Sequence, residues 1–404
     1  MIVKMKIIYI SSMCNPKNVS EINKKTIRKL EVSGVKFHNL IMEGFKENEA
    51  DVISIIGLPI SRKISKKSIW KKNIEREKKI LYHQVGFINI PILKQLTTAI
   101  NIMLAYCKYA KKNENVYVIV DASYVSVLPF ILFANKFLKH IIVGIVADIY
   151  EYMCDVDETS GRKNIFSKFI RKNNNYEKLD GFILLTEQMN EKINKTNKPY
   201  IVIEGCSDSN MEHKAKTNLG NKRIVMYSGK LAKKFGINML VEGFKKIQAK
   251  DVELWIYGDG EEKNYVENES KNNSNIKYKG MVPNEEVVEA QTKATLLVNP
   301  RPSKEQFTKY SFPSKNIEYM ASGTPMVTTD LPGMPDEYRK YVYIIKDETE
   351  QGMYETLKYL LELPEDELIQ KGKNAKEFIL NNKNEKKQSK KIIEFLKEIK
   401  KNDR

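Results

Sequence analysis

Pro313-Ser-Lys-Asn-Ile-Glu318-Tyr-Met-Ala-Ser-Gly323-Thr-Pro325-Met-Val opens on one proline and closes on Gly-Thr-Pro ahead of an apolar run. Proline suits the first position of a helix, where its missing N–H costs nothing, and glycine followed by proline ends one. The stretch predicts a helix started by Pro313, then a strand Met326 to Thr328. Such a helix would leave the N–H groups near Ser314 and Lys315 free for a dianionic diphosphate. Glu318 follows one turn later, where a carboxylate can accept two hydrogen bonds from the vicinal hydroxyls of a ribose. A plain surface helix is the competing reading. Upstream, Arg301, Glu305, Tyr310, Ser311 and Phe312 crowd the same segment with polar and aromatic groups and weigh against it.

Working outward, short β-branched runs alternate with longer amphipathic segments, the pattern of parallel sheets covered by helices. In the first half the expected strands are Lys6 to Ile10, Val35 to Leu40, Val52 to Ile56, Val116 to Val120, Ile141 to Val146, Phe182 to Leu185 and Tyr200 to Ile203. In the second half they are Ile224 to Tyr227, Glu253 to Tyr257, Ile276 to Tyr278, Thr295 to Val298 and Met326 to Thr328. Between the halves the sequence turns polar. The expected organisation is a domain 1–206, a linker 207–222, a domain 223–382 and a C-terminal helix 383–404 packing back on the first domain. The fold class is α/β, with two Rossmann-like, doubly wound domains.

Composition narrows the functional classes. The 404 residues carry 68 Lys+Arg against 51 Asp+Glu, a formal charge of +17. Cys14, Cys107, Cys154 and Cys206 stand far apart, without the paired spacing of a zinc site, and read as free thiols of a reducing cytoplasm. His38, His83, His140 and His213 are equally scattered, so no histidine metal site is expected. The apolar runs stop short of the roughly 20 residues that a bilayer demands. The N-terminus runs into a strand and carries no signal-peptide pattern. A basic chain invites a nucleic-acid partner, but no zinc-finger, RNP or basic-zipper pattern accompanies the charge, and none is expected.

Ligands of open α/β sheets bind beyond the carboxyl ends of the strands. After the strand at Ile224 comes Ser228-Gly229-Lys230-Leu-Ala-Lys233-Lys234-Phe235-Gly236, a glycine turn with three lysines that suits a phosphate. A solvated lysine-rich turn is the alternative. Gly258-Asp259-Gly260 follows the next strand and lets the backbone turn close to a ligand. Together with Glu318-Tyr-Met-Ala-Ser-Gly323-Thr-Pro325, these turns resemble the GT-B glycosyltransferases, specifically glycosyltransferase family 4 and its exopolysaccharide and capsule branch. The resemblance is strongest over Arg223 to Tyr338.

That resemblance implies a retaining transferase that takes a sugar from a nucleotide-sugar donor, by analogy a UDP-sugar, with no other cofactor. It makes Glu318 the ribose ligand, Lys230 a diphosphate contact and Gly258-Asp259-Gly260 the second phosphate-side turn. Two positions depart from the family. Eight residues before Glu318 stands Tyr310 rather than the first glutamate, with Glu305 the nearest acid upstream. The lysine of the diphosphate loop is replaced by Phe235, and Lys234 is favoured in its stead.

The leaving diphosphate needs a positive field, and lysines with a helix N-terminus can supply it without a metal. The one D-x-D triplet, Asp155-Val-Asp157, lies in a polar loop far from these features and reads as a solvated loop. On the acceptor side, Ser11, Ser12, Asn15, Asp121 and Asp148 follow strands of the first half. Asp148 is the favoured group to orient or deprotonate an acceptor hydroxyl, and a helix cap is the equal alternative. Arg62, Lys63, Lys66, Lys67, Lys71 and Lys72, interleaved with Ile60, Ile64, Ile69 and Trp70, suit an anionic membrane surface. The expectation is a cytoplasmic enzyme, peripheral on the inner face of the cell membrane and meeting a lipid-linked or soluble glycan acceptor. A charged mobile loop is the other reading of that stretch, and a silent sugar-nucleotide-binding partner is the other reading of Tyr310.

Overall fold

The computed structural model describes residues 4–27, 32–111, 115–149, 175–209 and 222–402. The triplet Asp155-Val-Asp157, Cys154, His213 and linker residues 210–221 lie outside them. The chain forms two compact units, one comprising residues up to Cys206 and again from Glu385, the other Ser207–Asn384.

The first unit is built on strands β1 (Lys6–Ser11), β2 (Asp51–Ile56), β3 (Ile69–Trp70), β4 (Asn73–Glu77), β5 (Ile80–Gln84), β6 (Phe87–Ile88), β7 (Val116–Asp121), β8 (Ile141–Val146), β9 (Gly181–Leu184) and β10 (Tyr200–Val202). The main sheet runs β10-β9-β8-β7-β1-β2-β5-β4, parallel except for β4. Ile7 to Ile10 of β1 are all fully buried, as befits a central strand covered on both faces. Ser11 and Asp121 end the adjacent strands β1 and β7, where the strand order reverses.

Val35 to Leu40, expected as a strand, lies inside the helix Val32–Glu47. The six residues look extended in isolation. Over the longer window Val35, His38, Asn39, Ile41, Met42, Gly44 and Phe45 are buried, and their recurrence at three- and four-residue intervals is helical. The basic stretch Arg62 to Lys72 contains the short strand β3 and leads into β4 and β5, a hairpin whose turn residues Lys78 and Lys79 take φ of 45° and 75°. Its apolar residues divide. Ile60 is fully buried and Trp70 is 5% exposed, stacked on Phe87 at 6.0 Å, so the tryptophan expected at a membrane surface belongs to the core instead.

The second unit carries β11 (Arg223–Ser228), β12 (Val252–Tyr257), β13 (Ile276–Gly280), β14 (Leu296–Asn299), β15 (Met326–Thr329) and β16 (Tyr343–Ile345), all parallel, in the order β13-β12-β11-β14-β15-β16. This is the doubly wound order of dinucleotide-binding sheets, with its switch point between β11 and β14. Alternation along β11 feeds two cores. Val225 and Tyr227 pack on one face of the sheet, and Ile224 and Met226 on the other.

The helix Glu385–Asn402 belongs to the first unit. Ile392, Ile393, Phe395, Leu396 and Ile399 enter the same core as Phe45 and Met42. Ser389 Oγ donates to the Ile41 carbonyl at 2.8 Å, and Gln388 Nε2 donates to the Gly205 carbonyl at 2.8 Å. Gly44 permits this approach, since a Cβ there would lie 2.1 Å from the Glu385 carbonyl oxygen. Gly44→Ala should therefore lower stability by about 1–3 kcal/mol through overpacking, read as a lower urea midpoint with unchanged slope. An unaltered midpoint would mean that the helix docks more loosely than described.

Candidate functional site

The site of the second unit is assembled by backbone turns that touch. Gly229 N–H donates to the Tyr257 carbonyl at 3.0 Å, and Leu231 N–H to the Asp259 carbonyl at 2.9 Å. Gly258 has φ of 133°, and a Cβ on it would stand 1.8 Å from the Gly229 carbonyl oxygen. Only glycine allows the turns after β11 and β12 to close on each other this way. At the switch point, Gly236 has φ of 79° and a Cβ there would meet the Pro300 carbonyl oxygen at 1.9 Å.

The decisive helix spans Ser314–Ser322, with Pro313 as its N-cap and Gly323, φ 83°, as its C-cap. Pro313 was expected as the first helical residue. It stands one position earlier, with extended ψ of 119°, because its ring fixes only φ. The first N–H groups of the helix, Ser314 and Lys315 among them, have no acceptor within it. Glu318 is held in place: its Oε1 accepts from Gln291 Nε2 at 2.7 Å and from Lys315 Nζ at 2.9 Å. Gln291 is fully buried, and its Oε1 has no hydrogen-bond partner. Tyr319, next in the chain, is fully buried, and burial pushes its phenol well above its ordinary pKa. Its hydroxyl accepts from Ser228 N–H at 2.8 Å and donates to the Ser228 carbonyl at 3.1 Å, tying the helix to the turn after β11.

These elements enclose a pocket of about 300 Å³ lined by Ser228, Gly229, Lys230, Gly258, Asp259 and Lys315 on its polar side and by Met281, Val282 and Val287 on its apolar side. Lys230 is half exposed there, 3.9 Å from Glu261. Asp259 Oδ1 accepts from Gly260 N–H at 2.9 Å.

Other expected donor residues gather around β14. The Arg301 guanidinium packs against a pair of edge-to-face rings, 4.7 Å from the centroid of Phe235 and 5.4 Å from that of Phe307. Phe235, standing where a lysine was expected, thus holds an arginine, and Lys234 Nζ lies 5.6 Å from the same ring. Glu305 is exposed at the N-cap of the short 3-10 turn Gln306–Lys309, and Tyr310 is that turn's C-cap. Ser311 Oγ is buried without a hydrogen-bond partner. Phe312 is 4% exposed and packs on Tyr338 at 4.9 Å, so it serves the core rather than a ligand.

In the first unit, Ser11 Oγ accepts from Met13 N–H at 3.3 Å, and Ser12 is partly exposed. Asn15 is buried, with Oδ1 on Lys17 N–H and Nδ2 on Glu75 and Glu77. Asp121, 2% exposed, accepts from Ser123 N–H at 3.0 Å and Ser123 Oγ at 2.5 Å. Asn15 and Asp121 thus hold local turns. Asp148 is exposed just past β8. Arg62, Lys63, Lys66, Lys67, Lys71 and Lys72 lie before and around β3, with Lys67 Nζ 5.1 Å from the Trp70 ring. Among the described residues, no group of three His, Cys, Asp or Glu is placed to hold a metal ion. No helix among them is long and apolar enough to cross a membrane.

Sequence reasoning missed Gln291 and Tyr319. Tyr319 was visible beside Glu318 but carried no signal of its own, and the pairing of Gln291 with Glu318 joins different helices.

Residues 209–378 match the family described as Glycosyl transferases group 1, so the second unit carries that domain. No curated protein sequence matches the chain. Among solved structures, S. aureus TarM, a mutant in complex with fondaparinux, alpha-GlcNAc-glycerol and UDP, is 19% identical over 77% of this chain, with a TM-score of 0.54. This chain spans 59% of the length of that one. Anabaena HepE in complex with UDP and glucose is 13% identical, covering 97% of this chain and 99% of its own, with a TM-score of 0.61. Sucrose-phosphate synthase from Thermosynechococcus elongatus is 13% identical over 98% of this chain and 99% of its own, with a TM-score of 0.63. The fold is that of the GT-B glycosyltransferases.

Tyr319→Phe leaves the buried Ser228 N–H without its acceptor and should cost about 1–3 kcal/mol of stability. Chemical denaturation measures it, and a cost near zero would show that the helix does not depend on this tie.

Proposed function

We propose that the chain is a retaining glycosyltransferase that moves a sugar, a hexose or a close relative, from a UDP-sugar to a glycan acceptor. The observation that carries this reading is the ion pair of Glu318 with Lys315, a lysine that lines the pocket at the head of the same helix, inside the group 1 domain. The diphosphate would lie along Gly229, Lys230, Lys315 and the first N–H groups of the helix Ser314–Ser322. The base would take the apolar side at Met281, Val282 and Val287, and Glu318 the ribose.

Breaking the anomeric bond places a second full negative charge on the terminal phosphate of the departing diphosphate. Lys230, Lys234, Lys315 and the helix N-terminus meet it with fixed charge, each charged hydrogen bond contributing about 1.5–3 kcal/mol. The reaction then needs no metal. Arg301, held against Phe235 and Phe307, would face the donor sugar with Glu305 and Tyr310. Retention has the departing phosphate take the acceptor proton. The acceptor is lipid-linked, in surface polysaccharide synthesis at the inner face of the cell membrane.

Tyr310, where an acid is usual, supports a second reading, in which the protein binds a sugar nucleotide without turning it over. A labelled UDP-sugar separates the two: transfer or hydrolysis supports the enzyme, and stoichiometric binding alone supports the silent partner.

UDP and its sugars should raise the melting temperature more than GDP or ADP, in proportion to the logarithm of saturation. Glu318→Ala should lower kcat/KM for the donor by roughly 10- to 150-fold without unfolding the protein. An unchanged kcat/KM would remove Glu318 from the site.

A further inference from the structure

Exposed apolar side chains in the first unit are concentrated in one stretch. Of the thirteen large apolar residues exposed among the described ones, eight fall within residues 69–104. Ile69 and Ile88 are partners across the antiparallel β3 and β6 ribbon, 61% and 37% exposed, while Trp70 and Phe87 of the same ribbon are buried. The chain then exposes Ile90, Ile92 and Leu93, and Leu96 one turn into the helix Leu93–Tyr109. Between ribbon and helix lies a groove of about 480 Å³, with Ile69, Ile88 and Leu104 among its walls. Single exposed apolar residues need no explanation, but a contiguous run marks an interaction surface.

The backbone at the tip of this run is strained. Ile92 has φ of 69° and ψ of −55°, and Leu93 N–H donates to the Pro91 carbonyl at 2.8 Å. That is a γ-turn of positive φ, a rare conformation and an outlier for a β-branched residue. Strain of this kind persists where function holds it, and the residue that bears it here is 69% exposed.

The charges around the run are cationic. Lys71, Lys72 and Lys108 line the same groove, and Lys94 Nζ lies 5.8 Å from the Phe87 ring. The carboxylates of the adjoining hairpin are occupied, Glu75 by Asn15 and Asn18, and Glu77 by Lys17.

We propose that this face docks on an anionic lipid bilayer, with Ile90, Ile92, Leu93 and Leu96 entering the headgroup boundary while Lys71, Lys72 and Lys108 meet lipid phosphates. A second copy of the chain is a poorer occupant, because a two-fold interface would set these lysines against one another. The inference deepens the reading of a lipid-linked acceptor, and it replaces the expected anchor Trp70 with the Ile90 to Leu96 tip. Its test uses no sugar nucleotide, so it succeeds or fails independently of transfer.

The full chain is floated with vesicles of phosphatidylcholine alone and of phosphatidylcholine mixed with phosphatidylglycerol. Binding to the anionic vesicles should be tighter by about tenfold or more at low salt and should weaken as salt rises. Ile92→Asp should lose about tenfold or more of that binding. Ile92→Gly relieves the positive φ, so it should keep or raise the melting temperature while still weakening binding. Equal binding to both vesicle types, or undiminished binding by both variants, would overturn the proposal. So would a concentration-dependent dimer that Ile92→Asp dissolves while the wild-type chain binds no vesicle.

Discussion

The second unit depends on a backbone-to-backbone contact that excludes every side chain. The Gly229 carbonyl occupies the space where a Cβ on Gly258 would project, and Leu231 does the same to Gly260, with its carbonyl oxygen 2.2 Å from that Cβ position. Because the turns after β11 and β12 close on each other, the lysine between them is delivered to the rim of the pocket. Tyr319 then fixes the third component, the helix that carries Glu318, to the same turn. Pocket shape is thereby set by main-chain atoms, which move little, and the side chains that face the cavity are left to bind.

Preorganisation extends to the carboxylate. Gln291 and Lys315 both reach Glu318 Oε1, so its direction is fixed before any ligand arrives. An ion pair within one helical turn, partly covered, holds geometry more than it adds stability.

Most strands of both sheets were legible because buried parallel strands read as unbroken apolar runs, as in Ile7 to Ile10 and Ile224 to Met226, whereas β4, β5 and β16 were missed. The glycine turns were legible because close approach admits a single residue type. Val35 to Leu40 was misread because a six-residue window cannot separate the two periodicities. Trp70 and Phe312 were assigned to surface and ligand because their composition says nothing about which way a ring turns, and tertiary packing turned both inward. The contact between Gln291 and Glu318 was invisible for a different reason: it joins two helices, and no local rule brings them together. Tyr310 and Phe235, the two departures from the family pattern, border the same region as Arg301, and Phe235 lies against Arg301 itself.

The connection of the units has a consequence for how the protein is made. Ser207 N–H donates to the Lys383 carbonyl at 2.8 Å, and Ser207 bridges Asn384, so the second unit begins and ends at one point. The first unit takes part of its core from the helix Glu385–Asn402. During synthesis, domains generally fold as they leave the ribosome, N-terminal first. Here the core of the first unit is complete only once the helix Glu385–Asn402 has been made, because Met42 and Phe45 share a core with its Ile392 and Leu396. Nascent chains stalled before residue 385 should thus be the species that chaperones hold longest.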